Sequence, residues 1–371
     1  MFDFNNSYLD DIVCVTNDER KELSEYALKI VDYRRTGISL NHIIGCPMDC
    51  AYCVRHFWGN FKMKIPHMLC SDEEAVSLLI NDVHFIPNRI PIQFLHKATD
   101  PFLPSVKKHT FTVLKRLDDL KLHNIVMLIT RFAIKEEDLE FLNSLVHIQP
   151  CIFVTYSGIT DKLIEPVALS GMFQRTIQTL ATRDRKAKCK FVQYWRPLVK
   201  GWNDDEETIR SVLSYSNHFD AIVIKGLRHK KENDDYFKEK GIQISHQYGE
   251  YKKWFDTSIY SRINFISSSL NIETPIFTKT SCAISCVCKR PDYNLQYLQK
   301  KECERCTINQ RELCATAIND VNENKVLDLL SKLGNDRYDY TIHTDCVEFS
   351  NVEQQDRNFF IHYLQFPCRF V

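Results

Sequence analysis

This 371-residue sequence has few glycines, no excess of charge of either sign and no long apolar runs, and each absence excludes a class of protein. Only 10 residues are glycine, which excludes a collagen-like chain and an architecture of glycine-rich loops or linkers. Lys and Arg together number 48, as do Asp and Glu, so the formal net charge is zero. Because domains that bind nucleic acid in bulk are usually strongly basic, that class is disfavoured, although local basic patches remain open.

Apolar runs are short. The longest, such as residues 125–129, have the length of a strand, whereas a membrane span needs about 20 apolar residues. The first five residues include an acidic and a polar residue, Asp3 and Asn5, and the N-terminus lacks the basic region and the apolar run of a secretory signal. We therefore expect no membrane partner and a cytoplasmic location.

Cysteine, in contrast, is abundant, with 15 residues. An odd number in a reducing compartment does not indicate a disulfide framework, so clustered cysteines there point to metal binding. Hydrophobic residues make up 44% of the chain and charged residues 26%, which is enough for a core and argues against disorder.

Short apolar runs alternate with helical patterns from residue 38 onward, after a predicted helix at 17–31. Six repeats of this kind predict a parallel sheet with right-handed crossovers. Six units rather than eight suggest an α/β fold of the partial (β/α)6 TIM-type barrel kind, open on one side, with a doubly wound open sheet as the alternative. The predicted strands are residues 38–44, 91–96, 125–130, 151–155, 191–195 and 221–225.

The composition changes after about residue 230, where a charged stretch precedes a cysteine-rich segment. We predict three regions: a helical extension at 1–36, the (β/α)6 core at 37–235, and a C-terminal cysteine-rich α+β extension at 236–371. The extension includes a predicted helix at 324–333, which Gly334 ends.

The sharpest motif is the sequence GCPMDCAYC at residues 45–53, directly after the first predicted strand. Its cysteines Cys46, Cys50 and Cys53 have the spacing C-x3-C-x2-C. Three thiolates from one loop can hold three corners of a [4Fe–4S] cluster, which leaves one iron open to a small chelating ligand. The alternative is a structural zinc closed by His42 or His56.

This motif, at the end of the first strand of a βα series, resembles that of the radical S-adenosylmethionine (SAM) superfamily over about residues 36–228. The resemblance implies that Cys46, Cys50 and Cys53 bind the cluster and that Tyr52 lies close to the adenine of SAM. It implies that SAM chelates the open iron and is reductively cleaved to a 5′-deoxyadenosyl radical, which abstracts hydrogen from a substrate. A one-electron donor of the flavodoxin or ferredoxin type is the implied partner.

Later segments resemble the branch related to spore photoproduct lyase, often described as DNA-repair photolyase-like. Residues 98–104 (ATDPFLP) resemble its T-D-P-Y-Q-P element, which implies that Thr99 and Asp100 face the SAM amino group. Arg131, after the third strand, would pair with the SAM carboxylate, and Ser157, after the fourth, would bind the ribose.

Two further segments resemble elements of the same branch. Residues 163–166 (LIEP), followed by Arg175, resemble an L-E-P…R element, and residues 196–204 resemble R-P-L-x-P-G-x-N-D, with Lys200 in place of proline. Arg196 is thereby added to the predicted cofactor-binding residues. All these positions fall at carboxyl ends of parallel strands, where barrel active sites form.

One position departs from the branch. The lyase pattern has a hydrogen-donating cysteine three residues before the Asp of the second-strand element, and here that residue is Lys97. The branch resemblance therefore does not carry the lyase reaction with it. Lys97 would either meet an anionic substrate or extend to the surface.

A second group of cysteines lies at residues 282–314. The spacing C-x2-C-x7-C of Cys303, Cys306 and Cys314 loosely resembles auxiliary-cluster domains of radical SAM enzymes, and Cys282 is a plausible fourth ligand. Four thiolates can hold a second [4Fe–4S] cluster or zinc, and the absence of any metal is the third alternative. The neighbouring pair Cys286 and Cys288 is left as alternate ligands or bystanders.

The resulting hypothesis is a radical SAM enzyme, with lyase or transferase/oxidoreductase-type chemistry, acting on a nucleic acid or nucleotide. A peptide-modifying radical SAM enzyme that uses an auxiliary cluster is one alternative. A non-catalytic, metal-bound binding module is another.

Overall fold

The fold was analysed in a computed structural model that describes residues 12–245, 257–300, 303–334 and 338–371. The strands in these ranges are β1 (Val31–Arg34), β2 (Gly37–Leu40), β3 (Ile43–Ile44), β4 (His67–Met68), β5 (Ile92–Phe94), β6 (Ile125–Thr130), β7 (Gln149–Thr155), β8 (Lys190–Leu198), β9 (Ala221–Gly226), β10 (Ile276–Phe277), β11 (Tyr340–Ile342), β12 (Val347–Phe349) and β13 (Cys368–Phe370).

The helices in the same ranges are α1 (Asn17–Glu22), α2 (Glu25–Leu28), α3 (Arg55–Trp58), α4 (Asp72–Ile80), α5 (Pro104–Asp119), α6 (Glu136–Ser144), α7 (Met172–Ala181), α8 (Glu206–Leu213), α9 (Lys231–Lys240), α10 (Thr257–Ser269), α11 (Thr280–Cys288), α12 (Gln296–Gln299), α13 (Ile308–Thr316), α14 (Glu323–Lys332) and α15 (Gln354–Leu364). None of these helices is long and apolar enough to cross a membrane.

The central sheet has the order β1-β2-β5-β6-β7-β8-β9-β10. All its neighbours pair in parallel except β1 and β2, which form an antiparallel hairpin. The predicted α/β class with a largely parallel sheet is therefore confirmed, and the six predicted strands correspond to β2 and β5–β9, next to one another in chain order. The first prediction, 38–44, was too long, because residues 43–44 form β3 and pair with β4 in a separate two-stranded sheet. The sheet also includes β1 and β10 at its edges. The barrel description stays a prediction.

The inner strands β6, β7 and β9 are buried on both faces, which explains their long apolar runs. Every residue of β6 except Ile129 is buried, and α5 packs Val113, Leu114 and Leu117 against the sheet. The cysteine-rich α11 covers the other face, where Ala283 and Ile284 join the cluster of Met127 and Phe153.

The helix predicted at 17–31 is wrong in its extent. Leu23 is extended after α1, and the Ser24 hydroxyl caps a second, four-residue helix by accepting a hydrogen bond from the backbone N–H of Ala27 at 3.2 Å. Val31 then begins β1. The apolar residues of this stretch fit a helical period, but a capping serine in the middle favours a break in the helix.

The C-terminal residues pack onto the core instead of forming a detached unit. A single cluster of buried side chains runs from Tyr33 through Phe237 to Val326, Phe349 and Leu364, and α15 lies against β1. The hydrophobic core is thus continuous across residue 235. The domain boundary placed there stays a prediction.

Candidate active site

A cavity of about 120 Å³ opens where β5, β6, β7 and β8 end and the cysteine motif begins. It is lined by all three motif cysteines and by five of the six predicted cofactor-binding residues. These are Cys46, Cys50 and Cys53 together with Tyr52, Thr99, Asp100, Arg131 and Arg196. Residues separated by up to 150 positions meet here because parallel strands end at the same edge of the sheet.

The cysteine loop is held by backbone contacts from several directions. The N–H of Cys46 donates to the Met63 carbonyl at 3.0 Å, and the N–H of Ala51 donates to the Ile164 carbonyl at 3.1 Å. The Asn233 side chain of α9 donates to the Ala51 carbonyl at 3.2 Å. Cys46 and Cys50 are buried and Cys53 is half-buried, so the loop presents its thiols inward.

Arg55 lies beneath this loop and is almost fully buried. Its guanidinium donates to the carbonyl oxygens of Met48 at 2.8 Å and Met63 at 3.0 Å, so one side chain joins the two halves of the loop. Burial raises the pKa of the Cys46 thiol, and the charge of Arg55 opposes that rise. Arg55 therefore both shapes the loop and favours thiolates in it.

Tyr52, Arg131 and Glu165 form a buried polar group beside the thiols. The Tyr52 hydroxyl donates to Oε2 of Glu165, Nη2 of Arg131 contacts the Tyr52 oxygen at 3.0 Å, and Nε of Arg131 lies 3.5 Å from the same carboxylate. Burial alone would lower the pKa of Arg131, but Tyr52 and Glu165 hold it well above its usual value. Burial raises the pKa of Cys50, with Glu165 as the second cause.

Asp100 already accepts three hydrogen bonds from the chain. These come from the Thr130 hydroxyl at 2.7 Å, the Arg131 backbone N–H at 2.8 Å and the Phe102 backbone N–H at 2.9 Å. Burial raises its pKa, and these hydrogen bonds oppose the rise. Asp100 thus joins the loop after β5 to the end of β6. This positioning role comes in addition to the predicted contact of Asp100 with the SAM amino group.

Several buried polar atoms of the cavity lining have no hydrogen-bond partner among the described residues. They include the hydroxyls of Thr99 and Thr155, Nε of Arg196 and both ring nitrogens of His96. Buried polar atoms are rarely left unpaired, and a polar ligand in the cavity would satisfy these. This observation fits the sulfonium amino acid predicted for the site.

Ser157 is not part of this cavity. It lies in an adjoining cavity of about 60 Å³, together with Glu165 and Gly158. Its hydroxyl accepts from the Ile159 N–H at 3.1 Å, and its carbonyl accepts from the Trp195 ring N–H at 3.1 Å. The structure thus brings Ser157 close to the site through Glu165 but not into contact with the cysteine cavity.

The two histidines considered as a fourth zinc ligand each have a contact of their own, although Nδ1 of His42 and Nε2 of His56 have no hydrogen-bond partner among the described residues. His42 contacts Asp72 at 3.1 Å, and the ring of His56 stacks on Phe61 at 3.6 Å between centroids. Neither lines the cavity. Within the described ranges, no three Cys, His, Asp or Glu side chains are close enough together to hold one metal ion.

Lys97, at the position of departure from the lyase pattern, is 1% exposed. Its ammonium group donates to the Tyr26 carbonyl and lies 3.9 Å from the centroid of the Tyr26 ring. Burial lowers its pKa to about 8. The interpretation as a surface lysine is therefore wrong, because Lys97 is buried under α2.

The second group of cysteines also converges. Cys282, Cys303, Cys306 and Cys314 line a small cavity of about 20 Å³ with Asp292 and Gln310. The Asp292 backbone N–H and the Gln310 amide both donate to the sulfur of Cys314 at 3.4 Å. Cys286 lies beside this group, since a hydrogen bond with Cys306 lowers its pKa, whereas Cys288 contacts Cys151 in the sheet.

The sequence interpretation did not assign roles to Arg55, His96 or Asn233, and it noted Glu165 without giving it a role. A strand-end position is the only signal that His96 carries. Arg55 and Asn233 carry none, because their contacts are with backbone carbonyls of the cysteine loop, which no side-chain pattern reveals.

No protein-family model matches the chain, and no curated protein matches it. Among solved structures, similar folds are spore photoproduct lyase complexed with dinucleoside spore photoproduct (TM-score 0.48, 10% identity, covering 68% of this chain and 79% of that one), SuiB of Streptococcus suis (0.39, 12%, 67% and 50%) and the radical SAM methyltransferase TsrM of Kitasatospora setae, with cobalamin and a [4Fe–4S] cluster bound (0.37, 11%, 54% and 36%).

At these levels the similarity concerns the course of the chain and not its chemistry. Spore photoproduct lyase, whose branch the sequence motifs resemble, is thus among the structures to which this chain is similar.

Proposed function

We propose that the protein is a radical SAM enzyme. The observation that carries the proposal is the single cavity in which Cys46, Cys50 and Cys53 meet the ends of four parallel strands. The loop itself offers three thiolates, and neither His42 nor His56 lines the cavity. That number suits a [4Fe–4S] cluster with one open iron better than a closed zinc site.

In this proposal Cys46, Cys50 and Cys53 hold the cluster, while the cavity lining holds SAM. When bound, the cluster supplies one electron, received from a flavodoxin- or ferredoxin-type donor, for cleavage of SAM to a 5′-deoxyadenosyl radical that abstracts hydrogen from the substrate. The unpartnered hydroxyls of Thr99 and Thr155 orient the polar groups of SAM. The ring of Tyr52 would lie against the adenine of SAM, and Glu165 holds Arg131 beside Tyr52.

Water exclusion is the second contribution of the chain. Leu95, Ala98 and Ile129 give the cavity apolar walls, so a reactive species formed there would meet few water molecules. We place the reaction in the cytoplasm. Its substrate is proposed to be a nucleic acid or nucleotide, but Lys97 replaces the hydrogen-donating cysteine, so the reaction differs from that of the lyase.

We further propose that Cys282, Cys303, Cys306 and Cys314 bind an auxiliary [4Fe–4S] cluster. The two N–H···S contacts to Cys314 support this, because hydrogen bonds to sulfur stabilise thiolates that bind metal. Zinc is the rival at this site. The auxiliary group also favours a second candidate function, peptide modification by a radical SAM enzyme.

The test of the main site uses anaerobically reconstituted full-length protein with dithionite and SAM. We expect about four irons for the first site and release of 5′-deoxyadenosine, which Cys50→Ala abolishes. Cys14→Ala, at an exposed cysteine outside the cavity, is the matched control and should retain the product. No 5′-deoxyadenosine from the unsubstituted protein would favour a metal-bound binding module instead.

The test of the second site compares the iron and zinc content of a Cys303→Ala/Cys306→Ala variant with that of a Cys346→Ala/Cys368→Ala control. Loss of iron only from the first variant supports an auxiliary cluster, and loss of zinc identifies the rival. Unchanged metal content would reject the second site.

A further inference from the structure

A larger cavity, of about 530 Å³, adjoins the cysteine cavity and shares Val54, His96, Ile129 and Arg196 with it. Its volume lies in the range of small-molecule sites, roughly 300–1,000 Å³. Residues of α15, including Gln355 and Asn358, line one side of it. A molecule held there would lie next to the site proposed for radical formation.

This cavity is lined by six cationic side chains and only one acidic side chain. The cations are Lys29, Arg34, Arg35, Arg196, Lys225 and Arg228, and the acid is Asp32. The Asp32 carboxylate lies 3.7 Å from the Lys29 ammonium and 3.9 Å from Arg34, so it is shared between them. Six positive charges and one negative leave a local excess of five, in a chain whose formal net charge is zero.

Two of these cations contact uncharged polar groups. Lys29 donates to the Gln355 amide oxygen at 2.6 Å, and Nη1 of Arg196 donates to the Tyr194 hydroxyl at 3.3 Å. Amide and hydroxyl oxygens are polar partners without a full charge. Several like charges around one concave surface repel one another and focus a positive potential into it, which an anionic ligand relieves.

Aromatic rings form the rest of the wall. Tyr26 and Trp58 lie 4.1 Å apart between centroids, and Tyr33 and Tyr194 line the same cavity. Flat rings beside cations are the combination that holds a heteroaromatic base together with a phosphate.

We propose that this cavity binds the substrate as a small phosphorylated nucleotide, with the phosphate among the arginines and the base against the aromatic wall. The inference rests on the proposed function only in taking the neighbouring cysteine cavity as the place where the radical forms. A mononucleotide is favoured over a polymer because the six cations line one cavity, bordered by α15, whose volume is that of a small-molecule site.

Equilibrium binding to the full-length protein tests this without any radical chemistry. The probes are the four 2′-deoxynucleoside 5′-monophosphates, the matching nucleosides, inorganic phosphate and a single-stranded oligonucleotide. We expect at least one monophosphate to bind about tenfold or more tightly than its nucleoside, since hydrogen bonds to charged groups are the strong ones. Arg35→Gln and Arg228→Gln should each weaken that binding by about tenfold.

Arg35 is exposed in the β1–β2 turn, so Arg35→Gln is expected to fold normally even if Arg228→Gln does not. The matched control is Arg116→Gln on the surface of α5, which should leave the affinity unchanged. Equal affinity for nucleoside and nucleotide, or no effect of Arg35→Gln, would overturn the inference. Much tighter binding of the oligonucleotide would contradict a mononucleotide ligand and indicate a nucleic-acid strand instead.

Failure of this inference and failure of the proposed function give different results. Nucleotide binding without 5′-deoxyadenosine formation would contradict the proposed enzymatic function and support a nucleotide-binding site. Formation of 5′-deoxyadenosine by a protein that prefers no phosphorylated probe would support the proposed enzyme and contradict a nucleotide substrate.

Discussion

Arg55 follows the last cysteine of the motif by two positions, and it stabilises the cysteine loop through the carbonyl oxygens that its guanidinium contacts. The guanidinium holds Met48, at the middle of the cysteine loop, and Met63, beyond α3. An arginine can do this because it has five donors in a fixed plane, whereas a glutamine has two.

For Arg55→Gln we expect the loop to loosen and the reconstituted protein to lose most of its iron. Limited proteolysis provides a readout that does not depend on the cluster, since residues 45–63 should become more readily cleaved. Arg116→Gln, an exposed arginine far from the loop, serves as the control. Normal iron content and unchanged proteolysis in Arg55→Gln would show that the contacts of Arg55 with the Met48 and Met63 carbonyls are dispensable.

Glu165 and Arg131 are a second residue-scale case, because each is the buried counter-charge of the other. Removing one partner leaves an uncompensated charge, which costs about 3–5 kcal/mol in buried pairs. We therefore expect Glu165→Gln to lower the free energy of unfolding by about 3 kcal/mol. The double variant Glu165→Gln/Arg131→Gln should lose less than the sum of the two single variants in chemical denaturation. Additive losses would mean that the two groups do not interact.

At the scale of elements, the cysteine loop depends on a close backbone approach at Gly45. This residue has φ +99°, and a Cβ there would lie 2.2 Å from the Ile65 carbonyl oxygen. A similar approach occurs at Gly37, where β2 meets the residues before β5. Gly59, at the end of α3, also has a positive φ of +76° but open space around it.

Gly45 and Gly59 give a matched prediction. Gly59→Ala should cost only the backbone strain of about 1–2 kcal/mol, whereas Gly45→Ala adds a clash with backbone that cannot move away without opening the loop. We expect the thermal unfolding midpoint to fall clearly further in Gly45→Ala, together with loss of iron. Equal midpoints in the two variants would show that the loop has room at Gly45.

At the scale of the whole molecule, the C-terminal helix α15 is tied to the core by a buried charge pair. His84 contacts Asp356 of α15 at 2.8 Å and Asp82 at 3.0 Å, and Tyr338 donates to the other Asp356 oxygen at 2.7 Å. Burial would lower the pKa of His84, but Asp356 and Asp82 raise it above its usual value of 6.5. The folded protein therefore binds this proton more tightly than the unfolded chain does.

The sign of the pH dependence follows from that shift. The stabilisation is fully present below the usual histidine pKa of about 6.5 and is lost as the pH rises through the folded-state pKa. We expect His84→Gln to lower the unfolding midpoint at about pH 6 and to have a smaller effect at about pH 9. An unfolding midpoint difference that is the same at both pH values would show that His84 is neutral in the folded protein.

Local patterns predicted the elements best. The six apolar runs became neighbouring strands, and Ser71 caps α4 as its sequence indicates. Asn203 and Asp205 both precede α8, but Asp205 caps the helix, while Asn203 turns inward and donates to the Pro197 carbonyl at 2.8 Å. Both residues suit a cap, and only packing at the end of β8 decides which one is turned inward.

The sequence by itself determined the alternation of strands and helices and the spacing of Cys46, Cys50 and Cys53, because periodicity and short-range geometry are written in neighbouring residues. The tertiary structure alone decided that Asp100 holds strand ends, that Ser157 faces a side cavity and that six cations surround one volume. Those contacts join residues far apart in the chain, and a one-dimensional pattern contains no distance between them.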